Sequence, residues 1–382
     1  MKFCMVAMIL ASCVAEEPTA EIDQELNGDN WVTVDQYDPN NDGASAQGVA
    51  IQDNGRIIVV GYEWDANGGL NSQWFIRSSV DGVHFTTDQT YQANRNADSL
   101  AQRVGVDAKG NVFVSGYGTD GAGRTYWLTL GSTTGNRGSY NLVDKQLLPA
   151  GMEMWVDAVV GFDGSVYVLA NGWDPVSGAG FHRLRTSRGG AGWHDIQVPD
   201  GVFALCATSK QLVGVGTDLT SNGDWATYAY DGTSTWKLVD RVVAVAGMYT
   251  ATACAQVGNE TYVAGRYEDP NDPNNNEWIV RRSPDLHAWT TDDMWLTTTM
   301  PTAVTGGSSG RVVVAGTKQT GPTTHEESWH ARSRLGGWID SDDVFTSGAV
   351  STPRDAAWSP HFGTIVVGDG APSYTATVRR LP

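Results

Sequence analysis

Beyond residue 30 the chain repeats one pattern of apolar and polar positions. A β-branched run ending in Gly or Ala recurs as Ile57–Gly61, Val112–Gly116, Val166–Ala170, Leu212–Gly216, Thr261–Gly265, Val312–Gly316 and Thr364–Gly368, in steps of 55, 54, 46, 49, 51 and 52 residues. A turn signal precedes six of these runs, at Gly55, Gly110, Gly164, Gly258, Gly310 and Gly363; the fourth copy has Ser209-Lys210-Gln211 instead. Each run is followed by a segment led by an aromatic residue: Trp74, Trp127, Phe181, Trp225, Trp278, Trp329 and Tyr374. A further segment is led by Phe85, Tyr140, Trp193, Trp236, Trp289 and Trp338. Alternation with period two, β-branched residues and Gly-marked turns predict strands, four to a unit.

The last list has six members because the seventh unit stops at Pro382 after its third strand. The missing strand lies at the other end of the chain, as Trp31-Val-Thr-Val-Asp35, which matches Trp236-Lys-Leu-Val-Asp240. An all-β, seven-bladed β-propeller of four-stranded blades, closed by the N-terminal strand, accounts for both the period and the split unit. A solenoid would need capping repeats and gives no reason for the split. The turns between first and second strands, and between third and fourth, are short. The other connections are long, and in a propeller they share one face, where binding residues concentrate.

At two of the third-to-fourth-strand turns, Ser79-Val-Asp81-Gly-Val-His-Phe85 and Ser283-Pro-Asp285-Leu-His-Ala-Trp289 resemble relaxed Asp-box motifs. The strand text around them, such as Gly55–Gly61 through Arg77-Ser78, is similar to bacterial repeat propellers of the BNR and delta-60 kinds. The resemblance spans nearly all of residues 31–382, although only two units keep both Ser and Asp. It implies that these residues staple turns by binding backbone N–H groups, away from the working face.

Charge and composition narrow the partners. The 382 residues carry 43 acids against 25 bases, a net charge of −18, which repels phosphate and excludes nucleic acid as a partner. Residues 1–12 read as a lipoprotein signal peptide. One Lys precedes the apolar stretch Phe3–Ala11, and Leu10-Ala-Ser-Cys13 resembles a bacterial lipobox with Cys13 as the acylated residue. An ordinary cleaved signal or a misassigned start are the alternatives. Residues 13–30 carry six acids and no base and read as a flexible tether. Val14 stands where inner-membrane retention would require Asp, so the expected address is the outer membrane, facing the periplasm or the cell surface, with the lipid as the sole membrane contact. A monomer is expected.

Of fifteen Trp, ten hold repeat positions in third or fourth strands and read as packing between blades. Trp64, Trp155, Trp173 and Trp295 fall in or beside long connections, with Tyr117 at a connection edge. Exposed rings beside polar groups are platforms for sugars, and the competing reading is that they fold over and pack the loops. Arg103, Asp157, Arg354 and Asp355 lie on first strands, which line the axial channel, where they either converge on a polar ligand or are hydrated and paired with one another. A non-catalytic binding protein for a glycan or an envelope or extracellular protein is therefore the expected function. The alternative is a glycan hydrolase or lyase of sialidase-like type using Asp157 and Glu153. It lacks the Arg-Ile-Pro signature of sialidases, whose ring has six blades. No cofactor is implied except calcium, for which Asp38, Asn40 and Asp42 begin an oxygen-rich loop; the twelfth position is Val49, not an acid. Cys206 and Cys254 each lie four residues before a turn. These look like equivalent positions in neighbouring blades, whose side chains point the same way, so two buried free thiols are expected.

Overall fold

The computed structural model describes residues 31–382 apart from 40, 65–70, 175, 179, 222, 234, 245–246, 272–275, 298, 308, 320–326, 341–350 and 371–373. Residues 1–30, with the expected signal peptide, Cys13 and tether, lie outside the described residues. The described strands form seven four-stranded antiparallel sheets, six of them built from consecutive strands. In the seventh, Val32–Tyr37 pairs with Thr375–Leu381, in register from Val32 opposite Arg380 to Tyr37 opposite Ala376. The inner strands are Ala44–Ile51, Ser99–Val106, Glu153–Phe162, Val202–Ala207, Met248–Val257, Pro301–Gly306 and Thr352–Ser359. Each contacts the next around the ring, and the last contacts the first. The chain is a closed, seven-bladed β-propeller. We call its long connections the loop face and its tight turns the turn face.

The repeated residues explain how blades stack. Trp74, Trp127, Trp225, Trp278 and Trp329 on third strands are buried. Three of them donate their indole N–H to a carbonyl of the next blade: Trp74 to Tyr117 (3.2 Å), Trp278 to Thr299 (3.0 Å) and Trp329 to Asp369 (2.8 Å). At the Trp278 and Trp329 seams, the Gly ending the next blade's run makes room for the ring. A Cβ at Gly316 would sit 2.6 Å from the Trp278 ring, and one at Gly368 2.9 Å from the Trp329 ring. The Asp-box residues act as staples: the Asp81 carboxylate accepts the N–H groups of Val83 and His84, and that of Asp285 accepts those of His287 and Ala288.

A second fastener was not anticipated. An Arg on a third strand reaches an Asp on the outer strand of the preceding blade: Arg77 to Asp35, Arg185 to Asp144, Arg281 to Asp240 and Arg332 to Asp293, each through two guanidinium nitrogens. The side chains in these pairs are mostly covered by protein. Leaving one partner unpaired in such a setting costs about 3–5 kcal/mol.

The third fastener is a β-bulge at the same register in every inner strand. Counting from the Gly or Ala that ends each second-strand run, the bulged residues are Gln47, Gln102, Asp157, Phe203, Thr252, Thr302 and Arg354. Several of them latch onto the next inner strand just before its own bulge. Gln102 accepts the N–H of Val156 (2.9 Å), Thr252 donates to the Pro301 carbonyl (2.7 Å), and Thr302 to that of Pro353 (2.7 Å).

The bulge register corrects the reading of the cysteines, which form a disulfide, with Cα atoms 5.7 Å apart. Their spacing to the turn misleads because the turns differ in length. In blade 5 Val257 pairs with Glu260 across two residues, whereas in blade 4 Ala207 pairs with Leu212 across four. Counted from the bulge, Cys206 matches Ala255 and Cys254 matches Leu205. The two cysteines are one residue out of step and therefore on opposite faces of their strands. Cys206 points forward to blade 5, and Cys254 points back to blade 4.

Candidate functional site at the mouth of the axial channel

All seven inner strands contribute to one cavity of about 570 Å³, which contains Arg103, Asp157, Phe203, Arg354 and Asp355. The sequence-predicted channel quartet is thus brought together, in a space of the size that takes small ligands. Arg103, just after the blade 2 bulge, is held by carbonyls alone. It donates to those of Asp157 (3.0 Å), Gln47 (2.8 Å) and Gln102 (2.8 Å). Asp355 accepts the N–H groups of Val49 (2.9 Å) and Ala356 (2.8 Å). Arg354 is not available to a ligand in the same way, because Asp369 takes its Nε and Nη2 at 3.1 and 2.9 Å.

Asp157 departs from the latch pattern. A carboxylate cannot donate to the carbonyl before the next bulge, and Asn171 does so in its place. The Asn171 amide N–H₂ donates both to Asp157 (2.6 Å) and to the Val202 carbonyl (3.2 Å). Its other side-chain atom meets His182 Nδ1, while His182 Nε2 faces the Gly201 N–H at 3.4 Å. Burial pushes the Asp157 carboxyl up to about 7, against the opposing pull of the Arg103 charge and the Asn171 hydrogen bond. Asp355 is raised by burial as well, again opposed by Arg103. Burial also lowers His182, opposed by the charge of Asp200.

The rim carries the aromatic candidates, which do not form one platform. Trp155 and Trp173 are together on blade 3. Glu153 pairs with Trp173 and Trp155 with Asn171, so the two indoles are diagonal neighbours on one sheet face, 48% and 44% exposed. Glu153 is exposed beside them. Trp64 stands two blades away, on blade 1, half-buried against Tyr62 (5.2 Å between ring centres) and Tyr374 (6.2 Å). Tyr117 is half-buried, its phenol pushed up to about 12 chiefly by burial and then by Asp98. Trp295 lies on an outer strand, stacked on His330 at 4.3 Å and edge-on to Trp278, away from the cavity lining. In the loop read for calcium, Asp38 accepts the Gly43 N–H (3.1 Å), and Asn40 lies outside the described residues. Among the described residues no group of three or more His, Cys, Asp or Glu is placed to hold a metal ion.

Asn171, His182, Phe203 and Asp369 were missed. Two of them had a signal in the repeats. Asn171 and Asp369 both follow the residue that ends the second-strand run, and each partners the bulged residue of its own blade.

No protein-family model matches the chain, and no curated protein matches it in sequence. Solved structures match it in shape. A streptogramin B lyase superposes with a TM-score of 0.55 at 10% identity, over 92% of this chain and 98% of that one. The GH93 α-L-arabinofuranosidase of Fusarium graminearum, solved with arabinobiose, gives 0.52 at 15% identity over 92% and 98%. A Hadza microbial sialidase gives 0.51 at 12% over 75% and 65%. The likeness is one of fold. Identities this low carry no activity from those proteins to this chain.

Proposed function

We propose that the protein is a lipid-anchored, extracytoplasmic binding protein, non-catalytic, that holds a glycan against the loop face of the propeller. The observation that carries this reading is the exposed pair Trp155 and Trp173 beside the mouth of the axial cavity. Two large apolar rings that a folded protein leaves in water, side by side on a rigid strand pair, offer successive stacking surfaces to a sugar chain. Glu153 and the cavity add polar contacts. A protein partner from the envelope or the medium would use the same face.

Titration of the chain lacking residues 1–13 with envelope and extracellular polysaccharides, followed by Trp fluorescence, tests the reading. Saturable quenching is expected, with Trp173→Ala weakening binding at least about tenfold and leaving folding intact. A flat response across the panel would remove the glycan and turn the search to protein partners.

A hydrolase or lyase is the second reading, favoured by the raised carboxyl of Asp157 inside a cavity. The geometry of its proposed partner weighs against it. Glu153 is exposed at the rim, four residues before Asp157, and does not line the cavity that holds Asp157, so the two carboxyls do not share one enclosed site. Product release abolished by Asp157→Asn would restore the enzyme reading.

A further inference from the structure

The charges around the axial cavity do not balance. Arg354 is paired with Asp369. That leaves Arg103, whose hydrogen bonds all go to carbonyls, to serve Asp157 and Asp355 together through charge alone. One carboxylate is in surplus, and the space beside it is shaped by residue size. Just after the bulges, blades 3 to 6 carry Ala158, Ala204, Ala253 and Ala303, while Arg103 and Asp355 flank Gly48 on the other side. The cavity is therefore wide along blades 3 to 6 and charged opposite. Phe203 lines that wide side, at the bulge position where other blades carry polar residues, with its ring 5.9 Å from that of His182.

We propose that this cavity takes the ammonium group of an amino sugar, seated between Asp157 and the ring of Phe203. This rests on the glycan reading and names its class, a sugar with a free amine rather than a neutral or acidic one. A buried carboxylate short of a counter-charge gains most from a cation, and an aromatic face adds to the attraction. A carboxylate-bearing sugar would instead meet two acids across one shared guanidinium. Asp157 and Asp355 are both raised by burial, as expected for acids held without a full counter-charge.

The test is calorimetric titration of the full-length chain with glucosamine, N-acetylglucosamine and glucose at neutral pH. Glucosamine is expected to bind at least about tenfold more tightly than its acetylated form, which has the same ring without the charge. Asp157→Asn should remove that preference. Should Asp157→Asn fail to fold, Phe203→Leu and competition by methylammonium against the wild type give the same readout. Equal binding of the three sugars, no binding of glucosamine, or a preference that survives Asp157→Asn would overturn the proposal. The two readings fail separately. Polysaccharide quenching at the rim without an amine preference removes the ammonium site alone, whereas glucosamine binding without polysaccharide binding removes the rim platform alone.

Discussion

The seams joining blades 5, 6 and 7 and those joining blades 3, 4 and 5 fulfil the same task with different chemistry. In the first region Thr252 and Thr302 occupy the bulges, and each closes its seam with one neutral hydrogen bond to the next strand. In the second the bulges hold Asp157 and Phe203, neither of which can make that bond. Asn171 supplies the missing bond to blade 4, and a disulfide ties blade 4 to blade 5. The difference teaches where this ring has been freed from its structural duty. Where the latch is surrendered, a substitute lies close by, and the released side chains face the cavity.

The largest effect that would break the comparison is loss of the bridge. Cys206 and Cys254 enclose a 48-residue separation, for which the chain-entropy account gives about 4 kcal/mol. Cys254→Ala should lower stability by about 2–4 kcal/mol in urea unfolding. Reductant should destabilise the wild type to the same extent and leave the variant unchanged; a variant as stable as the wild type would mean that the bridge is not a fastener.

Next comes Asp157. Its folded pKa of about 7 lies above the unfolded value near 4, so its protonation favours the fold at low pH. That contribution is complete below about pH 4 and is lost as pH rises towards 7. Asp157→Asn keeps an acceptor for Asn171 and removes the buried charge. It should therefore raise the melting temperature at pH 8 and change little at pH 4. A difference independent of pH would show that the carboxyl is well solvated.

Thr302→Val tests the other region. It leaves the Pro353 carbonyl without its donor and should cost about 1 kcal/mol, equally at both pH values. The smallest effect expected is that of Trp173→Ala on stability, within about 0.5 kcal/mol. A larger loss would mean that the indole packs the loop and is no platform.

The ring was legible because its determinants recur. Trp278 fits over Gly316 and Trp329 over Gly368 as a repeated pair, so the text of one blade predicts the next. The Arg–Asp seams were written just as plainly, at separations of 42, 41, 41 and 39 residues for Arg77, Arg185, Arg281 and Arg332. They escaped notice because each pair spans two units, and comparing unit with unit hides a bond between units. The cysteine pairing was misread for a related reason. The turns that served as rulers differ by two residues, and a slip of one in a strand reverses its face. The channel quartet was placed correctly by strand position, whereas Phe203 and Asn171 become visible only once the bulge fixes the register. Trp295 reads from sequence like the other loop aromatics, and only the outer-strand pairing puts it against His330.

The borrowed strand also sets an orientation. Val32 pairs with Arg380 and Tyr37 with Ala376, so this strand climbs from the turn face to the loop face. Whatever precedes Trp31 therefore departs from the side opposite Trp155 and Trp173. If the proposed lipid anchor holds that end, the loop face turns away from the membrane. Tension applied at Trp31 would bear first on the ladder between Val32–Tyr37 and Thr375–Leu381, whose rupture would open the ring between the first residues of the propeller and the last.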